Sequence, residues 1–167
     1  MIKSIDFKDD RLVKELYELQ RAAYLIEARL INFYDIPPLK ETIDELTECD
    51  ETFFGYFEEN SLVGALSYTI DGQELTICRM MVHPNHFRKG IAQELLHAVE
   101  KRNGDISIFK VATGKENLPA RALYQNNGYH HLEDIEIVPG FFISSLKKRT
   151  GPKIKNERLS LFQDGAL

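Results

Sequence analysis

The stretch Val82–Leu96, VHPNHFRKGIAQELL, constrains this 167-residue chain more than any other. An apolar run, Leu75–Val82, leads into a Pro turn and a basic, Gly-containing segment. An amphipathic helix follows, with Ile91, Leu95, Leu96 and Val99 on one side. That helix starts without a conventional cap. Arg88, Lys89 and Gly90 stand where Ser, Thr, Asp or Asn would hold the first free amides. Cations at a helix N-terminus oppose its partial positive charge, so the arrangement is unfavourable on its own. An external anion removes the conflict, because free N–H groups, two cations and a side-chain-free Gly90 then converge on a phosphate or pyrophosphate. The plainer alternative is a solvated basic turn before an ordinary surface helix.

Around this segment the hydrophobic pattern predicts a single domain over residues 1–149 and a basic tail over 150–167. Ile2–Phe7 alternates as a short strand. Leu12, Val13, Leu16, Leu19 and Ala23 recur at helical spacing, and the pattern breaks at Ala28–Pro38. A second helix is expected over Leu39–Cys49, with Ile43 and Leu46 inward. Thr52–Glu58, Leu62–Ile70 and Glu74–Val82 read as strands joined by turns at Glu59–Ser61 and Asp71–Gly72. Asp105–Val111 reads as a buried strand, followed by a loop ATGKE and a helix Leu118–Asn127 capped by Asn117. Tyr129–Val138 and Phe141–Lys147 are the last strands. The order is that of a mixed α/β sheet with helices on both faces.

Several classes are disfavoured. ATGKE contains Gly114–Lys115, but Phe109 and Glu116 stand where a P-loop needs Gly and Ser or Thr. Net charge is −5, divided into +4 from Lys147 onward and −9 before it. An acidic body lacks the basic face that nucleic-acid binding needs. There is no apolar leader at the N-terminus and no window long enough to span a membrane. Cys49 and Cys78 are far apart and the five histidines form no metal motif, so a reduced cytoplasmic protein without a metal is expected.

The residues Val82–Ala92, together with Asn117, Ala120, Leu123, Tyr124, Gly128 and Tyr129, resemble the GNAT superfamily of acyl-CoA-dependent N-acetyltransferases. The first set resembles the family's Q/R-x-x-G-x-G/A signature, read here as Phe87, Arg88, Lys89, Gly90, Ile91 and Ala92. The second resembles N-x-x-A-x-x-L-Y-x-x-x-G-F/Y. The resemblance implies a twisted, mostly antiparallel sheet of about seven strands, in which the strand carrying Met80–Val82 splays from the next strand, Ile106–Val111. It also implies transfer of an acetyl group from acetyl-CoA to a primary amine of a small molecule or peptide, by direct attack, which needs no nucleophilic Cys and leaves Cys78 a small core residue. The cofactor-binding residues are then Met81, Val82, Phe87, Arg88, Lys89, Gly90, Ile91, Ala92, Asn117, Ala120 and Tyr124. Tyr124 matches the family's general acid, and Glu74 is the candidate base. Alternation places Glu74 on one face with Thr76, Cys78, Met80 and Val82. Tyr24, Glu27, Tyr34 and Asp35 offer aromatic and acidic groups suited to an amine acceptor. A monomer or homodimer fits equally well, and a non-catalytic acyl-CoA sensor is the competing function.

Overall fold

The computed structural model describes residues 1–150; the basic tail from residue 151 lies outside the described residues. Its elements are β1 (Ile2–Ser4), α1 (Asp10–Ile31), α2 (Pro37–Lys40), α3 (Ile43–Glu48), β2 (Thr52–Glu58), β3 (Ser61–Asp71) and β4 (Glu74–Val82), then α4 (Ile91–Arg102), β5 (Ile108–Gly114), α5 (Leu118–Asn126), β6 (His130–Val138) and β7 (Phe141–Arg149). A 3-10 turn, Pro84–His86, joins β4 to α4. The strands form one sheet in the order β1-β2-β3-β4-β5-β7-β6. All neighbours are antiparallel except β4 and β5. The mixed, mostly antiparallel sheet agrees with the expected architecture.

Each face of the sheet carries its own core. On one, α4 buries Ile91, Leu95, Leu96 and Val99 against Phe54, Leu66, Leu75 and Ile77. On the other, α1 buries Leu16, Leu19, Tyr24, Ala28 and Ile31 against Phe53, Phe57, Ala65 and Met81. The stripe on α1 continues about two turns beyond Ala23, since Tyr24, Ala28 and Ile31 follow at i, i+4 and i+7. The helix therefore runs through Ala28 and ends at Asn32, whose left-handed backbone (φ 53°) brings its N–H back to the Ala28 and Arg29 carbonyls.

Other boundaries shift for local reasons. The expected helix over Leu39–Cys49 is two helices, because the Thr42–Glu45 capping box starts α3 afresh after α2. Leu46 is buried, but Ile43, in the first turn of α3, is 37% exposed rather than inward. β1 ends at Ser4 instead of Phe7. β5 begins at Ile108, not Asp105, and takes in Ala112–Gly114, expected as loop, because β7 pairs with it as far as Gly114 opposite Ile143.

The decisive irregularity is in β4. Ser67 pairs with Arg79 but Tyr68 pairs with Ile77, so Cys78 is an extra residue on β4. A bulge of this kind reverses the alternation beyond it. Leu75 and Ile77 face α4, whereas Met81 faces α1. Cys78 is exposed rather than a core residue. Glu74 and Thr76 do not share a face with Met80 and Val82, which pack with the α4 side.

Just past the bulge, Arg79 is buried and fully engaged. Its guanidinium donates to Glu41 (Nη1 2.6 Å, Nη2 3.0 Å), to Glu51 (Nε 2.9 Å, Nη2 3.0 Å) and to Gln20 Oε1 (2.7 Å). These bonds tie β4 to α1 and to the segments flanking α2 and α3. Arg79→Met leaves two carboxylates without their cation, and we expect a loss of about 3–5 kcal/mol in urea unfolding. Wild-type stability in that variant would mean that water, not Arg79, satisfies Glu41 and Glu51.

Candidate active site

β4 and β5 run together only from Glu74 opposite Ile108 to Ile77 opposite Val111. Beyond that point β4 follows β3 to Val82, and β5 follows β7 to Gly114. The strands part, and a cleft of about 730 Å³ lies where they diverge. Met80, Met81 and Val82 form one wall, Val111 to Thr113 another, with α1 and α5 contributing Tyr24, Glu27, Asn117, Ala120 and Tyr124.

At one end of the cleft is the start of α4. Gly90 occupies the cap position with φ 76°, and no side chain among the described residues caps the helix. The Glu94 N–H is bonded to the Gly90 carbonyl at 3.0 Å, and the amides of Ile91, Ala92 and Gln93 stand ahead of it in the first turn. A Cβ at Gly90 would meet nothing within 4 Å, so the space is open and the positive φ is what favours glycine. Behind the turn, a Cβ on Gly64 would come within 2.8 Å of Ile91 Cγ2, so the helix start sits hard against β3. Phe87, Arg88, Gly90, Ile91 and Ala92 all line the cleft. Arg88 itself has φ 64°, an uncommon conformation for a residue with a side chain. Lys89 does not line it: its ammonium is drawn to His86 Nδ1 (3.2 Å) and Glu58 Oε2 (3.6 Å). Open amides, a left-handed Gly and Arg88 fit a pyrophosphate.

Tyr124 is brought into the cleft from α5. Asn117 caps that helix, its Oδ1 accepting from the Ala120 N–H at 3.2 Å, and the Tyr124 ring meets Tyr129 edge-on at 5.6 Å. The Tyr124 hydroxyl has no hydrogen-bond partner among the described residues. Burial, and then the nearby Glu27 carboxylate, raise the phenol pKa above its ordinary value, so the hydroxyl stays protonated at neutral pH.

Glu74 is not brought to the site. It lies at the start of β4, at the paired end of the strands, and forms an ion pair with Lys110 at 3.2 Å. Tyr34 is 54% exposed and Asp35 is paired with Lys40 at the surface (2.9 Å); neither lines the cleft. Tyr24 and Glu27 do. The Tyr24 hydroxyl accepts from the Met80 N–H at 3.2 Å, bridging α1 to the bulged strand. Burial raises the Glu27 carboxyl above its usual pKa, while hydrogen bonding from Asn117 and Thr113 pulls the other way. Period-2 reasoning missed the bulge. The Tyr24–Ala28–Ile31 spacing is the signal that carries α1, and Glu27 with it, over the cleft.

Asn117 is buried, and its Oδ1 holds the first turn of α5 through the Ala120 N–H. Asn117→Ala is expected to cost about 1 kcal/mol, read by thermal or urea unfolding; an unchanged midpoint would show that the cap carries no weight.

Residues 13–129 match the family model described as Acetyltransferase (GNAT) family. Among curated relatives, the UPF0157 protein YqkA of Bacillus subtilis (strain 168) is 35% identical over 144 residues, 86% of this chain and 42% of that protein. The uncharacterized protein YdhI of the same organism is 33% identical over 87 residues, 48% of this chain and 52% of its own length. The chain thus matches about half the length of these relatives. Among solved structures, the PaiA N-acetyltransferase of Thermoplasma acidophilum in complex with coenzyme A aligns with a TM-score of 0.72 at 19% identity, covering 89% of this chain and 98% of that one. The ribosomal-protein-S18-alanine N-acetyltransferase of Escherichia coli aligns with a TM-score of 0.72 at 14% identity, covering 91% and 94%. The fold is theirs, and by its own sequence this chain belongs to the GNAT acetyltransferase family.

Proposed function

We propose that this protein transfers an acetyl group from acetyl-CoA to the primary amine of a small molecule or peptide. The observation that carries the reading is the open, uncapped start of α4 at Gly90, which faces the same cleft as the Tyr124 hydroxyl. The N-acetyltransferases that share the fold support an amine acceptor, and the coenzyme A held by one of them supports the donor.

Acetyl-CoA would supply the activated acetyl group. In this reading Arg88 and the amides of Ile91, Ala92 and Gln93 hold its pyrophosphate, and Val82, Asn117 and Ala120 line the path of the pantetheine arm. The wall formed by Met80–Val82 orients the thioester. The Tyr124 hydroxyl supplies a proton to the leaving sulfur; position matters more than driving force, because a buried phenol is a weaker acid than the thiol it forms.

Calorimetric titration with acetyl-CoA, followed by free-thiol release across a panel of amines, tests the reading. Tyr124→Phe is expected to lower kcat about 100-fold and leave acetyl-CoA affinity unchanged. Equal turnover would remove Tyr124 from the chemistry. Gly90→Asp sets a carboxylate against the phosphates and is expected to weaken acetyl-CoA binding by about 2 kcal/mol, roughly thirtyfold. Unchanged affinity would move the pyrophosphate elsewhere. Acetyl-CoA binding without turnover of any amine would favour an acyl-CoA sensor, the reading to which the exposed Phe87 at the mouth of the cradle lends itself.

A further inference from the structure

The Tyr24 side chain lines the cleft and is only 8% exposed, yet its hydrogen bonding is half complete. The hydroxyl oxygen accepts from the Met80 N–H at 3.2 Å, while the hydroxyl proton has no acceptor among the described residues. A hydroxyl buried this deeply ordinarily spends its proton. Glu27, three residues on, is close enough for its charge to reach the phenol, but its carboxylate is hydrogen-bonded by Asn117 and Thr113. Burial, and then that charge, raise the Tyr24 pKa above its ordinary value, outweighing the Met80 N–H and Arg79, so the phenol keeps its proton.

The bond from Met80 has two consequences. A hydroxyl that accepts one hydrogen bond is polarised into a better donor of the next. The same bond spends the Met80 N–H, a backbone donor on the stretch of β4 that has left β5. At Met80 the wall therefore offers the Tyr24 proton in place of its own amide. The ring is seated in the core beneath α1 with Ala28 and Met81, which fixes where that proton can go. The second phenol of the cleft, Tyr124, is near enough to influence Tyr24, and its hydroxyl is free of partners among the described residues. A thioester under attack gathers negative charge on two atoms of one carbon, the carbonyl oxygen and the sulfur. The cleft holds two phenol protons to meet them.

We infer that the Tyr24 hydroxyl donates a hydrogen bond to the thioester carbonyl oxygen of acetyl-CoA and stabilises the charge that develops there, polarised from behind by the Met80 N–H. The inference rests on the acetyl-transfer reading above and gives the two phenols separate atoms, the oxygen to Tyr24 and the sulfur to Tyr124. No proton leaves Tyr24. Its hydrogen bond strengthens as charge builds on the oxygen and relaxes when the C–S bond breaks. A donor fixed before the reaction costs no reorganisation during it.

Acetyl-CoA labelled with carbon-13 at the carbonyl reports this bond without turnover. Isotope-edited infrared spectra of the loaded protein, taken with no amine present, should show the carbonyl band at lower wavenumber in the wild type than in Tyr24→Phe. 3-Fluorotyrosine at position 24, a stronger donor on the same ring, should move the band lower still, and Tyr124→Phe should leave it in place. A band that ignores both changes at position 24, or that follows Tyr124 instead, overturns the assignment. Coenzyme A lacks the carbonyl, so its affinity should be the same in the wild type and Tyr24→Phe. A loss of coenzyme A affinity in that variant would reduce Tyr24 to a support for the strand and also overturn it. With an amine that the wild type acetylates, Tyr24→Phe should lower kcat about 100-fold; an unchanged kcat counts against the assignment equally. Failure of acetyl-CoA to bind the wild type overturns the acetyl-transfer reading instead.

Discussion

At Cys78 β4 gains one residue against β3, and at Ile77 it loses β5, so two faults in the sheet fall next to each other. The bulge turns Arg79 and Met81 toward α1 and leaves Met80 and Val82 on the α4 side. The parting of the strands opens the wall that those residues line. An unbroken ladder would bring β4 and β5 together along their whole length and leave no cleft. A strand edge left unpaired inside a fold is costly, and here part of that cost is met by the Tyr24 hydroxyl bonded to the Met80 N–H. The saturated Arg79 network, which includes Gln20 of α1, fixes the same stretch of strand from the same face.

Helix α1 is the second support. Its apolar stripe seats it on the sheet from Val13 to Ile31, and the same register that buries Tyr24 and Ala28 delivers Glu27 to the cleft. Helix α4 approaches from the other side of the sheet, where Gly64 leaves room for Ile91 beneath the first turn. The cleft therefore has an electropositive end, made of backbone amides and Arg88, and a separate carboxylate at Glu27. Opposite charges on separate elements of one cleft suit a reaction between an anionic donor and a cationic acceptor.

Much of this was legible in the sequence. The strand–turn–helix at Val82–Leu96 announces the uncapped start of α4 because a missing cap and misplaced cations are visible residue by residue, and the Asn117–Tyr129 spacing places Tyr124 on the adjoining helix. The turns at Glu59–Asn60 and Gly72 are equally plain, each requiring the positive φ that it adopts. What was not legible depends on partners distant in sequence. A bulge is a property of two strands, and nothing in ELTICRMMV alone marks Cys78 as the extra residue. That one residue undoes the alternation that placed Glu74 beside Met80. Lys89 looks like a phosphate ligand until Glu58, on β2, is seen to hold it. Of the four acceptor candidates, Tyr24 and Glu27 reach the cleft because α1 continues past Ala23 across the parted strands, whereas Tyr34 and Asp35 fall beyond its end.

We propose the start of α4 as the seat of the donor's pyrophosphate, and amide-resolved NMR during a titration with coenzyme A tests that most directly. The largest shifts are expected at Gly90, Ile91, Ala92 and Gln93, with a second group at Asn117, Ala120 and Tyr124. Shifts confined to other surfaces, such as the basic end of β7 at Lys147–Arg149, or no shifts at all, would contradict it.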